Sequence, residues 1–157
     1  MAEDDVSLEA LRAQEDELQF STFTNTTAWE LGCALVEAAR RDGHPVTIDI
    51  RRGDQQLFHA ALEGTAPNND VWVERKNRVV RRFGHSSLYM GALHADADIP
   101  FNERELVDPE QFAAHGGAFP IIVRSVGVIG TVTVSGLPQA ADHRLVVGVL
   151  REFLASS

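Results

Sequence analysis

The chain has 157 residues, 44% of them hydrophobic, 24% charged and 7% aromatic, with a formal net charge of −9 at pH 7. A chain of this length buries roughly 70% of its unfolded surface in a single core, and the composition excludes disordered and collagen-like classes. Net acidity disfavours nucleic-acid binding, and no apolar run approaches the roughly 20 residues that span a bilayer.

Residues 1–18 hold Glu3, Asp4, Asp5, Glu9, Glu15, Asp16 and Glu17 against Arg12 alone. We read them as an acidic N-terminal arm, with a single domain over 19–157. An acidic start differs from the basic start of a signal peptide, so the expected location is cytoplasmic. Ser7 caps a first helix bearing Leu8, Leu11 and Leu18. Thr27 with Glu30 has the spacing of a capping box for a second helix, whose stripe is Trp29, Gly32, Leu35, Val36 and Ala39 and whose stop is Gly43. Cys33, the only cysteine, excludes an internal disulfide and falls where its apolar neighbours predict a buried thiol.

Val46, Ile48 and Ile50 alternate with polar residues, and a second run follows Gly53-Asp54, so residues 46–62 predict an antiparallel hairpin. Asn69 or Asp70 starts a third helix carrying Trp72, Val79, Val80 and Phe83 and ending at Gly84. Ser86 or Ser87 caps a short helix through His94. Asp108-Pro109 predicts a further helix, stopped by Gly116-Gly117. Phe119, Ile121 and Val123 share a face with Val132 and Val134 in a second hairpin, and Leu145, Val146, Val149, Leu150 and Phe153 mark a last helix. The order α-α-β-β-α-α-α-β-β-α predicts an α+β fold with an antiparallel sheet sandwiched by helices.

The segments Trp72-x3-Lys76-Asn77-x-Val79, Ser86-Ser87, Gly116-Gly117-x-Phe119-Pro120-Ile121 and Gly130-Thr131-x-Thr133-Val134-Ser135-Gly136-Leu137, followed by Asp142-His143, carry a resemblance. Over roughly the C-terminal 90 residues the chain resembles the haem-degrading-domain family, and within it a branch of small cytosolic proteins shared by bacteria and fungi. The resemblance implies an α/β/α sandwich of profilin-like or sensor-domain-like shape, a homo-oligomer, and haem as a possible cofactor.

Lys76 is the only lysine and shares a mostly apolar helical stripe with Trp72, Val80 and Phe83. It is either an anion clamp assisted by Arg75 or Arg78, or a stem packed on Trp72 whose ammonium snorkels to water or pairs with a protein carboxylate. Arg75, Lys76, Arg78, Arg81 and Arg82 make a basic patch that the acidic arm could meet. Gly116, Gly117, Ser135 and Gly136, at opposite ends of the second hairpin's strands, offer backbone amides to a ligand or serve as turns. Thr133 belongs to a polar sheet face with Thr47, Asp49, Arg124, Thr131 and Ser135, which lines a cavity if helices cover it. The six histidines show no metal-site spacing; His115 and His143, in the matched segments, are the axial candidates for haem.

No nucleophile, base and orienting group assemble into a catalytic set. The expected function is therefore a domain binding haem or another small anionic planar ligand, with a non-enzymatic oligomeric module binding a protein partner as the alternative.

Overall fold

Alternating β-branched residues build the sheet. In the computed structural model, which describes residues 6–95 and 97–157, β1 (Thr47–Arg52) pairs with β2 (Gln55–Ala61), and β3 (Ala118–Val123) pairs with β4 (Gly127–Ser135). The two hairpins join through an antiparallel β1–β4 ladder, Thr47 opposite Ser135 and Ile50 opposite Val132, giving the order β2-β1-β4-β3. Period two then sorts the side chains: Ile48, Ile50, Phe119, Ile121, Val132 and Val134 enter the main core, while Thr47, Asp49, Thr131, Thr133 and Ser135 face the other way.

Helices α2 (Asn25–Arg41) and α6 (Gln139–Ala155) cover the apolar face, and α3 (Pro67–Phe83) covers the polar one. Beyond α3, a second cluster of Leu11, Val79, Leu88, Tyr89, Met90, Phe101 and Val107 binds α1 (Leu8–Glu17), α4 (Ser87–Leu93) and the short α5 (Phe101–Arg104). The expected antiparallel α/β/α sandwich is thus the observed one. Ser7 and Ser86 cap α1 and α4, and Gly84 closes α3 in the left-handed region at φ 74°.

Four expectations need correction. The N-cap of α2 is Thr24, not Thr27; Thr27 is the third helical residue, and the two threonines exchange backbone bonds as a capping box. α3 begins earlier, with Pro67 at its first position and the Asn69 side chain accepting the Ala66 N–H. Asp108-Pro109 makes only a turn, in which Asp108 accepts the Glu110 N–H; the third helix of that stretch is α5 instead. Cys33 is exposed, because Gly32 packs against the Phe58 ring and rolls Trp29 and Cys33 outward.

Glu3, Asp4 and Asp5 of the acidic segment lie outside the described residues. The acids of α1 that are described do not meet the basic patch: Glu15 binds His85 and the Ser86 N–H, and Glu17 binds Arg151.

Candidate functional site

The only lysine sits on the covered face of α3, where burial demands a complete set of partners. Lys76 is 2% exposed, and its ammonium donates to the Gly116 carbonyl at 3.0 Å, the Val134 carbonyl at 2.8 Å and Asp142 Oδ2 at 3.3 Å. Asp142, in the first turn of α6, also accepts the Leu137 N–H at 2.9 Å and the Gly136 N–H at 3.4 Å. Burial pulls the lysine below its usual range and lifts the carboxyl above its own, against the attraction between them. The lysine thus has a protein carboxylate and all three protons placed, and it ties α3 to both strands at the open end of the hairpin and to α6.

The antiparallel register brings the two glycine segments together at one end of the hairpin, rather than holding them apart. Gly117 has φ 137°, and a Cβ there would run into Lys76 Nζ and the Val134 carbonyl; only glycine admits the ammonium so close to the backbone. The Gly116 N–H is held by the Gln139 side chain at 2.8 Å.

Over this junction opens a pocket of about 410 Å³ lined by Asn69, Trp72, Lys76, His115, Gly116 and Ser135, with Gly136, Leu137, Gln139 and Asp142 completing it. That volume lies within the range of about 300–1,000 Å³ for small-molecule sites. Trp72 is its aromatic wall. The Arg75 guanidinium lies 4.4 Å from the Trp72 ring centroid and His115 packs edge-on at 5.4 Å. His115 is exposed, and among the described residues neither of its ring nitrogens is hydrogen-bonded. Partial burial, then the charges of Arg75 and Lys76, lower its pKa and favour the neutral imidazole.

The other sequence candidates lie outside the pocket lining, Arg75 alone flanking it beside Trp72. Arg78 donates to the Gln111 carbonyl and Arg75 to the Pro109 carbonyl, so both lash the 108–113 loop to α3. Thr133 is buried under α3 and donates to Asn77, which in turn donates to Asp49. Asp49 also accepts from Arg51 and Gln56. The polar face is therefore covered but packed, and only Ser135 reaches the pocket. Asn69, Leu137, Gln139 and Asp142 are the lining residues that the sequence reading missed. His143 is 3% exposed, packs against Phe119, and bonds Gln14 of α1 through Nε2. Desolvation, then Arg144, lowers its pKa to about 4.

For haem, the residues present fit in kind: a neutral, unbonded imidazole at the pocket mouth, an aromatic wall and a guanidinium beside it. Of the two axial candidates, His115 lies on the pocket and His143 is buried away from its lining, between Phe119 and Gln14. No group of three or more potential metal-ligating side chains occurs among the described residues.

The profile of haem-degrading proteins described as HbpS-like matches residues 23–151. The chain belongs to that family. A UPF0303 protein of Streptomyces coelicolor is 54% identical over 144 residues, covering 92% of this chain and 91% of its own. Among solved structures, the Ybr137w protein superposes with a TM-score of 0.90 at 37% identity, over 97% of this chain and 90% of its own. The PduOC:heme complex superposes with a TM-score of 0.68 at 14% identity, over 83% and 94%, which speaks for the shared fold alone. No helix among the described residues is long and apolar enough to cross a membrane.

Proposed function

We propose that this HbpS-like chain is a cytoplasmic small-ligand-binding domain, working as a homo-oligomer, whose pocket beside Trp72 takes a planar anionic molecule, with haem the specific candidate. The observation that carries the reading is His115: an imidazole held towards its neutral form, without a hydrogen bond among the described residues, at the mouth of a pocket walled by Trp72 and flanked by Arg75. A planar ligand can stack on the indole, an acidic substituent can meet the guanidinium, and a metal centre can take the imidazole. The family's haem-degrading description and the haem-bound relative of the same fold support haem over other planar anions.

In this reading Lys76 shapes the pocket floor and does not clamp the ligand, since Asp142 already balances its charge. Trp29 and Trp72 are the only tryptophans, so haemin added to a Trp29→Phe variant reports on Trp72 alone. Saturable quenching at one haemin per chain is expected. Quenching that rises without saturation would overturn the proposal.

A further inference from the structure

The two edges of the sheet are treated differently. Along β3, the Ser87 hydroxyl occupies both backbone groups of Ala118, Pro120 has no N–H to offer, and Phe20 bonds Ile122 and Arg124. Along β2 the one such device is the register shift that leaves Leu57 unpaired between Gln56 and Phe58; from Phe58 to Ala61 the edge is open among the described residues. The antiparallel alternation, with Leu62 bonded to Val46, turns the N–H and C=O of His59 and Ala61 outward. The strand carries no proline and no lysine.

Directly above this edge, α2 presents Trp29, Cys33, Val36 and Arg40 at spacings of four, three and four, one stripe of a helix. With Phe58 they line an open groove. Trp29 is 61% exposed and stands in this groove beside Val36 and Phe58, and contiguous exposed apolar groups mark contact surfaces where single ones do not.

We propose that this edge and stripe are the interface for a second copy of the chain, related by a two-fold axis. The proposal rests on the homo-oligomer reading above and names its surface. The stripe is self-complementary when antiparallel to itself: Trp29 meets Arg40 of the copy, Cys33 meets Val36, and Glu30 lies within reach of the same arginine. The layers agree as well. α2 packs on both β1 and β2, so joining two β2 edges at a strand spacing of about 4.8 Å sets the two α2 axes about 10 Å apart, a normal helix-packing distance.

Sedimentation of the full chain, combined with a short bismaleimide linking the single Cys33 of each copy, tests this. The expected result is an even-numbered oligomer in which Cys33 yields a covalent dimer, and in which Trp29→Glu halves the mass or more and abolishes the cross-link. Arg40→Glu, at an exposed position of α2, should weaken association in the same direction and serves if the first variant folds poorly. An oligomer unchanged by both variants and without a Cys33 dimer would refute this interface while leaving the homo-oligomer standing. A wild-type monomer would remove both.

Discussion

Lys76 and Asp142, 66 positions apart in sequence, meet through a 3.3 Å ion pair in which each side chain is almost wholly buried. Each also fixes backbone: the lysine the carbonyls of Gly116 and Val134, the aspartate the amides of Gly136 and Leu137. Removing one partner leaves an uncompensated buried charge and unpaired carbonyls. Lys76→Met should therefore cost about 3–5 kcal/mol in urea unfolding. A loss under about 1 kcal/mol would mean the pair contributes little to the junction.

Gly117 lets that ammonium approach. With φ 137° and no room for a methyl group between Lys76 and the Val134 carbonyl, Gly117→Ala should destabilise the chain by about 3 kcal/mol in the same assay. The same substitution at Gly148, where a Cβ meets nothing within 4 Å, should be neutral or mildly stabilising because it lies inside α6.

His143 makes stability depend on acidity. Its folded pKa of about 4 lies below the usual 6.5, so between those values the unfolded chain binds a proton that the folded chain refuses. Stability is complete above the upper value and declines as pH falls through the window, by about 3 kcal/mol in all. His143→Gln should flatten that part of the stability profile; an unchanged slope would show that the imidazole titrates freely in the fold.

Cys33 faces solvent on α2. Under native conditions iodoacetamide should label it in the dissociated protein at a rate near that of the unfolded chain, and Cys33→Ser should shift the unfolding midpoint negligibly. Full protection in a monomeric sample would contradict the exposed position.

Much of the fold is legible locally. Alternation at Val46, Ile48 and Ile50 locates the first hairpin, and Gly84 marks the end of α3, because strand periodicity and left-handed caps depend on neighbours in sequence. What misleads is competition from afar. Asp108-Pro109 has the chemistry of a helix start, yet the Arg75 carbonyl takes the Ala113 N–H and two arginines of α3 take the loop carbonyls, which leaves a turn. Thr27 reads as an N-cap because Glu30 stands three residues on, but Thr24 stands three residues before, and a threonine hydroxyl answers the cap as well as a carboxylate does. Gly32 against Phe58 shifts the α2 stripe by one step and exposes Cys33.

At the site, a lone lysine on an apolar stripe already demands a partner, whether ligand, water or carboxylate. Its identity lies in the pairing of β4 with β3 and the placement of α6, which no local pattern encodes. Asp142 stands in the sequence only as part of a segment shared with the family, and Gln139 carries no signal at all.

The central claim, that the Trp72 pocket binds a planar anion with His115 at its mouth, is tested most directly by titrating haemin into the purified chain and following the absorption band. Saturation at one haemin per chain, with a spectrum that changes in His115→Ala and an affinity that falls about tenfold or more in Arg75→Gln, a loss of about 1.4 kcal/mol, is the result the structure predicts. Saturable binding that neither substitution alters would place haemin elsewhere, and absorption that grows without saturation would contradict the claim outright.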